Sequence, residues 1–216
     1  TKTVLMLGLP TALQNAIFAV ANLFIQAAVN SFDTLMVEGN SAAANADALI
    51  YDMMAAFYVA CTTFMGQNLG AGKKDRVMKS YKISVVYSFL IAFVSGVLLF
   101  FCGRPFLMLF SRDADVIDAG MKRLTIMAFS YCISAFMDCT IAASRGLGKT
   151  VVPTIIVVSG SCIFRIVWVY TIFAYFHTIP SLYLLYVCSW TLTAIFEVLY
   201  FRHAFKKQFA SGPRPA

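Results

Sequence analysis

The chain has 216 residues, of which 60% are hydrophobic, 15% aromatic and only 12% charged, with a formal net charge of +7. That charged share is about half of what an ordinary soluble domain carries, which excludes a cytosolic globule. Apolar runs long enough to cross about 30 Å of hydrocarbon recur from end to end, and anionic lipid on the inner face accounts for the basic excess, so no nucleic-acid partner is implied.

Six runs can be drawn, at about 10–31, 47–66, 83–103, 122–144, 151–176 and 181–202. They predict an all-α, multi-pass integral membrane protein whose chain returns to the side on which it starts. The first run exceeds a signal-peptide core and five more spans follow it. The chain begins at Thr1 without an initiator methionine, the mark of an excerpt, a processed product or half of something larger, and "SGPRPA" at 211–216 reads as a flexible tail. With the N-terminus inside, Lys2, Lys73, Lys74, Arg76, Lys79, Lys82, Arg145, Lys149, Arg202, Lys206, Lys207 and Arg214 fall on the inner side, against Arg104, Arg112, Lys122 and Arg123 outside. The positive-inside bias therefore predicts that both termini are cytoplasmic and that the protein sits in the cell membrane.

In the first run, Asn15, Asn22, Gln26 and Asn30 follow at intervals of seven, four and four, which puts them within an arc of roughly 80° on a helix. Amides facing acyl chains would lack partners, so this stripe faces other helices or a wet cavity. In the second run, Asp47 falls at the outer boundary, where it can cap the helix, and Asp52 lies deeper on a different face. Tyr51, Met54 and Tyr58 share a face suited either to packing or to an aromatic, methionine-rich pocket.

The string "TFMGQNLGAGKKDRVMKS" at 62–79 looks like a phosphate loop, but Gln67 stands where a Walker motif needs its first glycine and Lys74 where it needs Ser or Thr. A dinucleotide fingerprint fails too, because Asp75 replaces the third glycine. "RGLGKT" at 145–150 has Ala143 at the Walker glycine. Both strings are expected to be tight cytoplasmic turns, with glycines at positive φ and lysines among lipid headgroups.

The third run carries no charge, and "RPFLMLFSRD" at 104–113 is too short to cross, so an outer interfacial segment is expected after it. In the fourth run, Tyr131, Ser134, Asp138 and Ala142 line up on one face. A carboxylate near mid-membrane costs roughly 2.5–3.5 kcal/mol, so Asp138 must be neutral, paired or hydrated. Ion coupling or substrate contact, a structural ion pair, and an acid reaching the cytoplasmic rim are the three readings. Thr150 can cap the fifth helix with Pro153 in its first turn, and Ser159-Gly160-Ser161 allows close helix contact or a bend. Arg165 is read as a structural intramembrane charge, either bridging to Asp138 or resting on Trp168 one turn on, because a fixed cation repels a cationic substrate. Glu197 is read as a rim ion pair with Arg202.

The six cysteines lack metal spacing and read as small hydrophobes, while His177 and His203 fall at opposite membrane faces, so no metal site is expected. No nucleophile elbow or zinc-protease string appears, and the chain is expected not to be an enzyme.

Four strings in order, "TFMGQNLGAGKKDR", "LFSRDADVIDAG", "SRGLGKTVVP" and "RIVWVYTIF", together with "GLPTALQNAIF" near the start, resemble the second lobe of the multidrug and toxic compound extrusion (MATE) family over nearly the whole chain. The resemblance implies six helices forming one lobe of a two-lobed bundle that exports cationic or amphipathic xenobiotics by alternating access. Inward movement of a proton or sodium ion would drive that export, with no organic cofactor. Several similar family members carry an acid at the offset of Asp138 from Arg145-Gly146, whereas the acid that some carry on the first helix is replaced here by amides. The resemblance also marks Gly66, Gln67, Asn68, Gly70, Gly72, Arg76, Arg145, Gly146, Gly148 and Pro153 as cytoplasmic motif positions. Membrane lipid, a cationic or amphipathic small molecule, and a missing N-terminal lobe or second copy are the implied partners. A non-transporting or lipid-translocating protein of the same architecture is the alternative.

Overall fold

The computed structural model of the chain describes residues 2–210; the tail expected at 211–216 lies outside the described residues. Among them are six long helices and no strand: α1 (Lys2–Val29), α2 (Thr34–Gly70), α3 (Lys74–Leu107), α4 (Ala114–Gly146), α5 (Val151–Phe176) and α6 (Ile179–Ala210). All six are long and apolar enough to cross a membrane. At one end of the bundle the start of α3 meets the end of α6, with Lys74 over the Phe209 ring at 5.7 Å. At the other, Phe32 after α1 packs against His177 after α5, with ring centroids 5.2 Å apart. We call these the first and second ends.

The helices outrun the apolar runs, which corrects three local expectations. The second helix opens at Thr34, because Asp33 caps it by accepting from the Met36 amide at 2.9 Å and an alanine-rich stretch then sustains the helix through polar residues. Asp47 is therefore no cap and lies well inside α2. The segment 104–113 is not a separate interfacial piece: α3 continues past Pro105 to Leu107, which is buried, and only 108–113 forms the connection. Thr150 precedes α5 without a side-chain capping bond, although its carbonyl accepts from the Thr154 amide.

The two Gly-Lys strings have a common explanation. At the end of α2 the Gly72 amide donates to the Leu69 carbonyl and Lys73 to Asn68; at the end of α4, Gly148 donates to Arg145 and Lys149 to Ser144. Both are Schellman terminators, with the glycine in the left-handed region at φ +69° and +73°. Gly66, Gly70 and Gly146 are helical, as are Gln67, Asn68 and Arg145, and Arg76 lies in the first turn of α3, so the turns are shorter than the motifs.

The fourth helix is the most enclosed and packs against α2, α3 and α6. Small residues let it do so. A Cβ on Gly96 of α3 would stand 2.2 Å from the Ala128 carbonyl oxygen, and one on Gly146 would stand 2.8 Å from the Met65 Cβ on α2. Without a hydrophobic drive between helices in lipid, such backbone proximity supplies the packing energy. The fifth helix carries two π-helical turns, Val158–Ile163 and Val169–Phe173. The first includes Ser159-Gly160-Ser161: a Cβ on Gly160 would lie 2.5 Å from Thr193 Oγ1 of α6, and Ser161 and Thr193 hydroxyls are hydrogen-bonded at 3.0 Å.

Two glycines should thus fail for different reasons. Gly148→Ala should cost about 1–2 kcal/mol through left-handed strain. Gly96→Val should cost more and separate α3 from α4, as overpacking a tight contact does. Thermal unfolding in detergent, followed by near-ultraviolet circular dichroism, should show the larger loss for Gly96→Val; equal losses would contradict this ranking.

Candidate functional site

A cavity of about 390 Å³ opens between α1, α2, α4, α5 and α6. Helical spacing builds its walls: α1 contributes Phe18, Asn22, Ile25, Gln26 and Val29, and α2 contributes Asn40, Ala44, Asp47 and Tyr51. Arg123, Met127, Met137 and Asp138 come from α4, Arg165 from α5, and Tyr186 and Trp190 from α6. Two carboxylates and two guanidiniums thus face one space.

One of each sign is neutralised. Arg123 pairs with Asp47 and also donates to the Asn40 side chain; the Tyr131 hydroxyl donates to the other oxygen of Asp47. Tyr183 of α6 donates to Asn40 at 2.8 Å, and its ring lies 5.4 Å from the Arg123 guanidinium. This network ties α2, α4 and α6 at the cavity wall. By sequence, Arg123 counts among the outer-side charges at the edge of the 122–144 run; it is buried within α4 instead, because that helix begins at Ala114 rather than near 122. Its position eight residues before Tyr131, on nearly the same face, was the available signal.

Asp138 is differently placed. Ser134 Oγ donates to its Oδ2 at 2.9 Å, the Tyr51 hydroxyl lies 3.1 Å from Ser134 Oγ, and no ion pair to Asp138 occurs among the described residues. It lines the cavity rather than the rim. Tyr131 shares its helix face but serves Asp47, so the structure divides the predicted Tyr131–Ser134–Asp138 row between two carboxylates.

The amide stripe of α1 is also divided. Asn22 and Gln26 line the cavity, whereas Asn15 and Asn30 are exposed outside it; Gln26 donates to Asn30 at 2.9 Å. Tyr51 faces the cavity, Tyr58 packs toward the first end and Met54 is in the core.

Arg165 is only 3% exposed, with its guanidinium 4.7 Å from the Tyr186 ring, 5.6 Å from Phe18 and 5.8 Å from Trp190, and its Nε donates to Ser189 Oγ at 3.3 Å. The expected contact with Trp168 does not form, because the Trp168 ring nitrogen donates to the Ser181 carbonyl. Glu197 is no rim ion pair either. It is fully buried, neither oxygen accepts a hydrogen bond, and α6 runs on to Ala210 with Phe201 and Phe205 packed beyond it. The charge whose field reaches it is that of Arg145, whose guanidinium donates to Gln14 of α1 at 2.8 Å.

No cluster of three or more metal-ligating side chains occurs among the described residues. His177 ends α5 in the left-handed region at φ 46°, tilted against Phe32 and edge-on to Phe173 at the second end, while His203 is exposed in the last turns of α6.

Residues 10–171 match the MatE family profile. The chain is 26% identical over 163 residues to a probable multidrug resistance protein NorM from Thermotoga maritima, a match covering 72% of this chain and 33% of that one. It is 30% identical over 108 residues to the human multidrug and toxin extrusion protein 1, covering 50% and 19% respectively. Its fold superposes on an outward-facing MATE transporter of the MOP superfamily with a TM-score of 0.86 at 17% identity, covering 96% of this chain and 47% of that one. The MATE transporter ClbM, solved with Rb+, gives 0.82 at 22% identity, covering 97% and 50%. The chain spans about half the length of these solved structures and about a third of that of the NorM relative. The profile match spans most of the chain, and the fold covers about half of each of these structures; this chain belongs to the MatE family.

Proposed function

We propose that the chain is one lobe of a cation-coupled antiporter that exports cationic or amphipathic small molecules by alternating access. A second lobe, supplied by an N-terminal half or another copy of this chain, would close the open side of the cavity, and rocking of the two would expose the cavity to each membrane face in turn. The observation that carries this reading is Asp138: it faces the cavity with a hydroxyl donor and no paired cation. An intramembrane carboxylate left in that state accepts a proton, a sodium ion or the positive group of a substrate, and exchange among these couples the fluxes. The Asp138 oxygens, Ser134 Oγ and the Tyr51 hydroxyl form a chain of oxygens that suits either ion.

The basic residues of the first end, among them Lys73, Lys74, Lys149 and Arg202, support a cytoplasmic placement of both termini. With Arg123 buried in α4, Arg104, Arg112 and Lys122 are the basic residues left on the opposite side among the described residues, and Arg104 is paired with Asp118. That strengthens the asymmetry. Surface Lys labelling with a membrane-impermeant ester in intact cells should spare Lys73 and Lys149 alike until the membrane is opened; labelling of either one in sealed cells would reverse or refute the placement.

In proteoliposomes of the full-length protein, Asp138→Asn should reduce gradient-driven efflux of a fluorescent cation at least tenfold while leaving the protein's elution profile and thermal midpoint close to wild type. Unchanged efflux would remove Asp138 from coupling. Movement of labelled lipid without dye movement would replace transport of small molecules by lipid translocation.

A further inference from the structure

We propose that Arg165 is the anion-recognising half of the substrate site, and that the preferred substrates are zwitterions whose positive group meets Asp138 and whose carboxylate meets Arg165. The inference rests on the transport reading above and adds the charge pattern of the substrate. A guanidinium remains charged in a protein interior, and a buried charge without a counter-ion costs several kcal/mol. Arg123, the other guanidinium in the cavity, is paired with Asp47 and bonded to Asn40 through its two terminal nitrogens, while its Nε has no partner. Arg165 has no such pairing: its Nε is held by Ser189 and three aromatic faces surround it, yet its terminal nitrogens donate to no acceptor among the described residues and it faces the cavity.

The aromatic rings offset part of the charge, each by about 0.5–2 kcal/mol, and they also fix the planar fork in place. A fork held by its inner nitrogen on a residue that lines the cavity, with its outer nitrogens unbonded, can take a carboxylate in two parallel hydrogen bonds. In the same cavity Asp138 lacks a cation. A simple organic cation satisfies Asp138 and is repelled by Arg165, while a simple anion meets the reverse problem. A molecule carrying both charges satisfies both walls, and Tyr186 and Trp190 offer ring faces for an aromatic body between them.

Rhodamine 110, which carries a carboxylate, and rhodamine 123, its methyl ester, differ by that charge alone and separate the possibilities. Fluorescence polarisation with the full-length protein in nanodiscs should show tighter binding of rhodamine 110 than of rhodamine 123 to wild type. Arg165→Met should lower that preference at least tenfold, mainly by weakening rhodamine 110. If wild type binds the ester as well as or better than the acid, or binds neither dye, the proposal is overturned without recourse to a variant. An unchanged preference in Arg165→Met overturns it as well, including the case in which both dyes weaken together because Arg165 merely holds the fold. The assay needs no gradient, so a lobe that binds the zwitterion but moves no dye would refute transport and leave this assignment standing.

Discussion

The paired charges of Asp47 and Arg123 are the constraint around which the lobe is arranged. A carboxylate and a guanidinium in a low-dielectric interior are tolerable only together and only when their remaining hydrogen-bonding groups find partners. Here those partners come from three helices: Asn40 from α2, Tyr131 from α4 and Tyr183 from α6. Removing one member of such a pair typically costs about 3–5 kcal/mol, because the other is stranded. The network therefore fixes how α2, α4 and α6 face one another, and that spacing leaves room for the cavity beside it. It also pairs one charge of each sign, which leaves Asp138 and Arg165, whose fields reach each other, lining the cavity without a direct ion pair among the described residues.

Packing around α4 supplies the second requirement. Lipid offers no hydrophobic reward for bringing helices together, so contact must come from shape. Gly96 against Ala128 and Gly146 against Met65 bring α3 and α2 to backbone distance from α4. At the first end, α2 and α4 stop with the same terminator, a left-handed glycine followed by lysine. A sequence that imitates a nucleotide loop twice is thus using glycine to end helices and lysine to stay with water and headgroups.

Much of this was legible beforehand. Hydropathy found all six spans, and helical spacing placed Asp138 with Ser134 and set Asn22 and Gln26 on a common face. The failures have a shared cause. Apolar windows mark where a helix is greasy, whereas a helix lasts until its caps end it. The first half of α2 is rich in small and polar residues, so its start was read too late and Asp47 was mistaken for a boundary residue. For the same reason Arg123, at the start of the 122–144 run, is counted among the outer-side charges and Glu197 is placed at the rim. Once those residues are placed inside helices, Arg123 falls near the face of Tyr131 and Asp47 one turn before Tyr51, so the cavity pattern was present in the spacing. The aromatic partners of Arg165 were not: Phe18, Tyr186 and Trp190 come from α1 and α6, and no local period links them to α5.

The first π-helical turn of α5 lies between Pro153 and Arg165. Such a turn holds one residue more than an α turn, and so it advances everything after it by about 100° relative to a regular helix. The surplus residue is accommodated where Gly160 and Ser161 lie against Thr193, and Arg165, on the turn beyond, lines the cavity. The direction of the guanidinium is thereby encoded in chain length as well as in side-chain identity: losing one residue from Val158–Ile163 would turn Arg165 by about 100° around the helix axis, away from Ser189 and the three rings that now hold it.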